Sequence, residues 1–262
     1  MIPGYFVTVV MPALNEGKNI IVAISNTLAG FDDIGLKGEI IVVNDGSEDN
    51  TDRLVEEKMK SDNRIRMIVH DTPKGIGSCF WDGVDIARGD IVTMLPGDNE
   101  NDPWETLRYV ELLEHVDIVI PFAYNKNIRS LSRNILSRTY LSIINLTFMT
   151  SFNYTNSTVI YRKSVLQQLR YRCHSFFFQT DILVRTVRKG YLFAEVPYRL
   201  GSRKAGSSKL ISFPSLWKTA KDYFKLVKDV YCTQRKELNE RCFSPDSSTA
   251  KRQNPNNKYK EI

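Results

Sequence analysis

The chain is short of the residues that build metal–thiolate and disulfide frameworks. Its 262 residues include four cysteines, no two of them in a Cys-x-x-Cys pair, and three scattered histidines, His70, His115 and His174. This pattern argues against a zinc site. No basic region followed by an apolar stretch stands at the start, which reads Met-Ile-Pro-Gly-Tyr, so a secretory leader is not expected and the reading is of a reducing, cytosolic compartment. Long hydrophobic runs are missing too. Residues 139–161 form a 23-residue stretch without a charge, but about half of it is Ser, Thr or Asn, whereas a membrane span needs ~20 predominantly apolar residues. A surface that touches lipid is the expectation there, and a span is not.

What is present is an ordinary globular composition, 42% apolar and 25% charged, which excludes disorder, collagen and coiled coil for the bulk of the chain. The net charge of +6 is unevenly placed. Residues 199–236 hold ten Lys/Arg and two Asp, a local sum of +8, so the other 224 residues sum to −2. Such a basic end suits phosphates, a diphosphate leaving group or an anionic membrane face. Nucleic acid is not the expected partner.

Short β-branched runs at 5–11, 39–44, 65–70, 90–95 and 117–121 predict strands buried on both faces. Helical stretches at 18–28, 51–60, 76–87 and 103–114 lie between them, the last with Asp102 and Pro103 as an entry signal. Alternation of this kind predicts an α/β fold with a mostly parallel sheet flanked by helices. Beyond residue 122 the pattern predicts a long helix over 127–149, basic at its start, a strand at 158–161, a helix over 176–189 and a strand at 192–196. A C-terminal amphipathic helix follows over 214–231, where Trp217, Ala220, Phe224, Val227 and Tyr231 step by three and four beside Lys218, Lys221, Lys225 and Lys228. Two placements fit that stripe: packed on the core, or laid in a membrane interface. The expected division is a catalytic domain at 1–212, a helical extension at 213–243 and a disordered tail at 244–262.

In open parallel sheets, ligands bind at the carboxyl ends of the strands. Three polar loops fall there: Pro12-Ala13-Leu14-Asn15-Glu16, Asn44-Asp45-Gly46-Ser47, and Pro96-Gly97-Asp98-Asn99-Glu100-Asn101-Asp102. Any one of them reads as turn chemistry; three on one edge read as a site. A dinucleotide fold would place Gly-x-Gly-x-x-Gly after the first strand, but no glycine precedes Gly17 there, and Lys74-Gly75-Ile76-Gly77 continues to Phe80 where a third glycine should stand. A Walker loop is also missing. Carboxylates facing a diphosphate need an intervening cation, and Asp98 and Glu100 offer hard oxygen ligands for Mg²⁺ or Mn²⁺.

The Pro-Ala-Leu-Asn-Glu, Asn-Asp-Gly-Ser and Gly-Asp-Asn-Glu segments resemble those of inverting nucleotide-sugar glycosyltransferases with the GT-A fold. The subgroup they look most like is that of dolichyl-phosphate mannose synthase and the bacterial polyprenyl-phosphate glycosyltransferases. The resemblance runs from about Val7 to Leu210. Its most specific stretch is Phe178-Gln179-Thr180-Asp181-Ile182-Leu183-Val184-Arg185, then Glu195-Val196-Pro197, then Arg203, Gly206 and Ser208-Lys209-Leu210.

By that resemblance, Pro12, Leu14 and Glu16, with Val43, Asp45 and Gly97, line the nucleotide-sugar site. Asp98 and Glu100 hold the metal, with Asp98 also catalytic, and Arg203 and Lys209 sit near the diphosphate or the acceptor phosphate. Asp181, in the place of a family Glu, is the candidate base for a hydroxyl acceptor. Arg129 and Arg133 are candidates to hold a phosphate acceptor.

The implied function is metal-dependent transfer of a sugar from a GDP- or UDP-linked donor to a polyprenyl-phosphate-type or glycan acceptor. It would take place in the cytoplasm or peripherally on the cytosolic face of a membrane. The competing reading is a catalytically silent nucleotide-sugar or membrane-surface binding module. That reading draws on two departures from the family pattern, Pro96 where a first metal-loop Asp is usual and Asn44 in the second turn. Two others, Ala123 in place of an Arg and Asn153-Tyr154-Thr155-Asn156-Ser157-Thr158 near the expected sugar site, point instead to a sugar and acceptor other than mannose and dolichyl phosphate.

Overall fold

The computed structural model describes residues 4–125, 131–199, 213–233 and 243–253. One seven-stranded sheet organises them in the order β3-β2-β1-β4-β6-β5-β7. The strands are β1 (Phe6–Ala13), β2 (Lys37–Asn44), β3 (Ile65–Val69), β4 (Ile91–Met94), β5 (Ile118–Ala123), β6 (Ile160–Arg162) and β7 (Phe193–Tyr198). All pairings are parallel except those of β6, which runs antiparallel to both β4 and β5. The helices are α1 (Ile20–Ile34), α2 (Thr51–Ser61), α3 (Ile76–Ile86), α4 (Pro103–Leu107), α5 (Leu131–Phe148), α6 (Lys163–Gln167), α7 (Phe178–Lys189), α8 (Phe213–Lys228) and α9 (Ser248–Gln253).

The buried runs expected of a covered parallel sheet account for both faces. Alternate residues of each strand feed opposite cores. Val7, Val9 and Met11 meet Ile20, Ile24, Phe31 and Leu107 on one side. On the other side Val10, Val43 and Val92 meet Phe80, Trp81, Phe148 and Phe178. Gly77, in the first turn of α3, lets that helix approach the chain at His174, whose carbonyl carbon and oxygen would lie 2.5 Å from a β-carbon there. Gly75 stands just ahead of it with φ +94°. The glycines after β3 thus serve a turn and a close approach.

The expected helix over 103–114 is divided. Asp102 caps α4 by accepting from the Trp104 N–H at 2.9 Å, but Val110–Glu114 is a 3-10 turn. Leu107, Val110 and Leu113 are all wholly buried, and a three-residue step places them on one face only if the chain tightens. The chain also departs from the expectation of a disordered tail beginning at 244. Residues 243–253 pack: Phe243 joins the core, and the buried Asp117 carboxylate accepts from the N–H groups of Ser248 (2.6 Å) and Thr249 (3.1 Å) and from the Thr249 hydroxyl. A segment poor in apolar residues is held by satisfying a buried charge.

Helix α8 and the π-helical turn that continues it, Asp229–Thr233, bury a different face from the aromatic stripe. Leu226 and Val230 are buried, with Tyr223 and Val227 packed against the same core, while Trp217, Phe224 and Tyr231 stay exposed. No helix among the described residues is long and apolar enough to cross a membrane.

Candidate active site

Strands β2, β1 and β4 are neighbours, so their carboxyl ends bring the three polar loops together. The loops continue the sheet's own hydrogen bonding. The Asp45 N–H donates to the Ala13 carbonyl at 2.8 Å and the Gly97 N–H to the Pro12 carbonyl at 2.9 Å. Side chains then clasp the first loop to the second. The Asn15 N–H donates to Ser47 Oγ at 2.9 Å, Asn15 Oδ1 accepts from the Glu48 N–H at 2.8 Å, and the Glu16 N–H donates to Thr51 Oγ1 at 3.0 Å. Asn15 and Asn99 both adopt φ +57°, a conformation in which asparagine is several-fold enriched. Sequence reading passed over both; an Asn just after a strand is the available signal. Asn26 Nδ2 donates to Asn99 Oδ1 at 3.0 Å, anchoring the third loop to α1.

Leu14, Glu16, Asp98 and Glu100 sit half-buried on this edge, and Pro12 and Gly97 form its buried base. Asp98 Oδ1 accepts from the Glu100 N–H at 3.0 Å, an Asx turn that holds the two residues, two positions apart, on the same loop. Two hard-oxygen donors on one short loop at the sheet edge fit a Mg²⁺ or Mn²⁺ ion that takes its remaining ligands from phosphate and water.

Two further expected nucleotide contacts, Val43 and Asp45, are buried. Val43 is a wholly buried core residue. Asp45 turns inward because its carboxylate is claimed by the β3–α3 connection: Oδ1 meets His70 Nδ1 at 2.7 Å and accepts from the Lys74 N–H at 2.8 Å, and Oδ2 accepts from the Gly75 N–H at 2.8 Å. Burial alone would raise the Asp45 carboxyl, but these bonds, with one from the Cys79 thiol, hold it below the usual carboxylate range. The same burial, with the Asp45 charge beside it, pushes the Cys79 thiol up. His70 extends the chain outward, its Nε2 lying 2.9 Å from Asp82 Oδ2. Asp45, His70 and Cys79 are close enough to share a metal ion, yet the hydrogen bonds just described already occupy their polar atoms.

A second wall leads away from β4. The Thr93 hydroxyl donates to the Thr158 carbonyl at 3.4 Å, Gln179 Nε2 donates to the Ser157 carbonyl at 2.5 Å, and the Thr180 hydroxyl donates to Thr155 Oγ1 at 3.1 Å. The segment that replaces the family's sugar-side pattern therefore joins the end of β4 to the first turn of α7. Asp181 follows in that turn, wholly buried. Its Oδ2 accepts from Arg185 Nε at 2.9 Å, and Arg185 Nη2 reaches Asp229 Oδ2 at 2.8 Å. Burial raises the Asp181 carboxyl to about 6 against the opposing pull of Arg185. Asp181 thus belongs to a buried ion network, and no hydrogen bond among the described residues links it to the 96–102 loop. Arg129, Arg203 and Lys209, and the side chain of Arg133, lie outside the described residues.

The comparisons agree with this architecture. Undecaprenyl-phosphate 4-deoxy-4-formamido-L-arabinose transferase of Edwardsiella ictaluri is 28% identical over 206 residues, covering 78% of this chain and 62% of that protein. The protein of the same name from Pectobacterium atrosepticum is 31% identical with the same shares. The chain therefore spans less than two thirds of the length of these curated relatives.

Glucosyl-3-phosphoglycerate synthase of Mycobacterium tuberculosis, solved in complex with uridine diphosphate, superposes with a TM-score of 0.62 at 20% identity, over 87% of this chain and 80% of that one. The same enzyme with Mn²⁺, UDP-glucose and phosphoglyceric acid gives 0.61 at 19% identity, over the same shares. At that identity the likeness is one of fold, and it bears out the GT-A-type sheet expected from the sequence. The Glycosyl transferase family 2 model matches residues 8–174, which hold all three strand-end loops. With the fold and the matched segment in agreement, this chain belongs to glycosyl transferase family 2.

Proposed function

We propose that the protein moves a sugar from a uridine-diphosphate sugar to a polyprenyl phosphate, with inversion at the anomeric carbon. The observation that carries this reading is the convergence of the 13–17, 44–51 and 96–102 loops on one edge of a parallel sheet in a family 2 chain. Relatives named for an undecaprenyl-phosphate acceptor support the acceptor class, and neighbours solved with UDP and UDP-glucose support the donor.

In this reading Leu14 and Glu16, above Pro12 and Gly97, take the nucleoside, and Asp98 and Glu100 hold the cation. A divalent ion bound there supplies charge neutralisation for the departing diphosphate. Arg203 and Lys209 close on the same diphosphate, and Arg129 and Arg133 hold the acceptor. An acceptor phosphate is already anionic near neutral pH, its second pKa being about 6, so it attacks without a general base. The burial of Asp181 in its bridge to Arg185 suits that chemistry, because a hydroxyl acceptor would need a carboxylate within reach of its proton.

A lipid-linked acceptor requires the enzyme to work at a bilayer, and the molecule offers a surface for it. Leu146 and Met149 at the end of α5 are 82% and 78% exposed, and Trp217 and Phe224 on α8 are 63% and 68% exposed. The Thr147 Oγ1–Tyr223 hydroxyl bond of 2.7 Å sets the two helices side by side. Lys218, Lys221, Lys225 and Lys228 are exposed along α8, which matches an anionic headgroup layer. We assign this face to peripheral contact with the cytosolic side of a membrane.

Thermal shift against GDP, UDP and their sugars with Mn²⁺ tests the donor assignment. Stabilisation by UDP ligands that depends on Mn²⁺ and disappears in Asp98→Asn is the expected result. Stabilisation by GDP ligands alone would replace the donor, and no response to any of them would remove the site.

A further inference from the structure

We propose that a cleft beside Arg188 binds the phosphate of an anionic lipid headgroup, so that the membrane contact assigned above includes a defined lipid site. This rests on the membrane reading and adds to it a position and a ligand class.

The cleft measures about 360 Å³ and is lined by Met149, Thr150, Ser151, Val187, Arg188 and Phe193. It joins the end of α5 to the last turn of α7 and the start of β7. The lining is mixed in the way a headgroup and the top of an acyl chain require: one guanidinium and two hydroxyl groups beside three apolar side chains.

Arg188 is the group that needs a ligand. It is the charged residue of the lining, and no carboxylate pairs with it among the described residues. Arg185, on the same helix, is matched by two carboxylates, Asp181 and Asp229, whereas Arg188 has the ring of Tyr231 centred 5.9 Å from its guanidinium carbon. A cation in the last turn of a helix is favoured by the macrodipole, which explains its charge. That effect does not account for a guanidinium that lines a cleft with no carboxylate matched to it among the described residues. A planar guanidinium with free donors is the group best suited to clasp a phosphate.

The cleft also opens where a lipid would be. Met149 lines it and Leu146 lies one turn earlier, both strongly exposed. The Tyr231 hydroxyl donates to the Thr147 carbonyl, so the ring beside Arg188 sits against the same end of α5. An acyl chain leaving the cleft would pass over Leu146 and Met149, with the lysines of α8 alongside. Those lysines supply diffuse attraction that salt screens; a guanidinium within a cleft supplies a contact that salt screens much less.

The test is vesicle binding by the full chain, read by tryptophan fluorescence, with phosphatidylcholine alone and with added phosphatidylglycerol. Arg188→Gln is expected to weaken binding to the anionic vesicles about tenfold, to leave binding to phosphatidylcholine unchanged, and to keep its effect at high salt. Lys221→Gln should cause a smaller loss that high salt abolishes. Arg188→Lys should recover part of the affinity, and unaltered thermal unfolding of each variant shows that the fold is intact. Equal binding of wild type and Arg188→Gln to anionic vesicles would overturn the site while leaving the membrane reading in place. Failure of the wild type to bind either vesicle would overturn both. Inorganic phosphate that competes with the vesicles in the wild type, at concentrations without effect on the residual binding of Arg188→Gln, would reassign the cleft to free phosphate and overturn the lipid.

Discussion

Asp181 Oδ2 and Arg185 Nε face each other at 2.9 Å across one helical turn, and both side chains are buried. Burial is the dominant influence on the carboxyl and raises it to about 6 in spite of the guanidinium. A carboxyl raised on folding is protonated more readily in the folded state. Its charged form therefore costs stability above pH 6, and that cost fades as pH falls toward 4. Relative to Asp181→Asn, the wild type should gain on the order of 1 kcal/mol between about pH 7.5 and about pH 5. Thermal unfolding of both proteins across this range measures it, and a difference that stays flat or shrinks on acidification would contradict the assignment. The variant should also retain transfer to a phosphate acceptor, since no base is required there.

Asp98 and Glu100 should govern metal-dependent activity without governing the fold. Asparagine at 98 keeps the oxygen that accepts from the Glu100 N–H, so the Asx turn survives. Transfer should fall by on the order of a hundredfold or more in Asp98→Asn and Glu100→Gln, with unfolding shifted by no more than about 0.5 kcal/mol. Calorimetric titration of Mn²⁺ in the presence of UDP should show the loss directly. Full Mn²⁺ affinity in both variants would move the metal elsewhere.

Gly77 should tolerate no side chain. A β-carbon there would lie 2.5 Å from backbone atoms of His174 and 2.6 Å from the Ser175 carbonyl oxygen, and backbone cannot swing aside as a side-chain tip can. Gly77→Ala should cost roughly 2–4 kcal/mol in denaturant unfolding. A cost below about 0.5 kcal/mol would mean that α3 and the 173–175 segment are not packed as described.

Thr249 should matter more than its place near the end of the chain implies. Its hydroxyl serves Asp117 and also accepts from the Leu192 N–H at 2.9 Å. Thr249→Val keeps the shape and removes both bonds, which should cost about 2 kcal/mol. Hydrogen exchange at Leu192 should quicken in the variant. Unchanged exchange and stability would show that residues 243–253 do not hold the start of β5.

The sequence made the sheet legible because β-branched runs and capping residues are local signals. Asp102 before Pro103 caps a helix as expected, and the loops after β1, β2 and β4 meet because parallel neighbours share an end. What escaped depended on distant partners. Asp45 is visible as a carboxylate at a strand end, but its inward turn is set by His70 and by N–H groups 29 and 30 residues away. The order of residues 243–253 depends on Asp117, more than 130 residues earlier, and nothing in a Ser-Ser-Thr run announces that. In α8 and the turn that continues it the aromatic spacing is a real feature, but Leu226 and Val230 form a second apolar face, and a helix with two such faces does not say which one the core takes. Arg185 was within reach: a basic residue four positions after Asp181 on a helix is a standing signal for an ion pair.

The most direct measurement is transfer of labelled sugar from UDP-sugars to undecaprenyl phosphate in detergent with Mn²⁺, comparing wild type, Asp98→Asn and Asp181→Asn. Lipid-linked product from wild type and Asp181→Asn, with almost none from Asp98→Asn or after chelation, is the expected result. Product formation that ignores Asp98 and chelator, or wild type inactive with every donor despite binding UDP, would contradict the account.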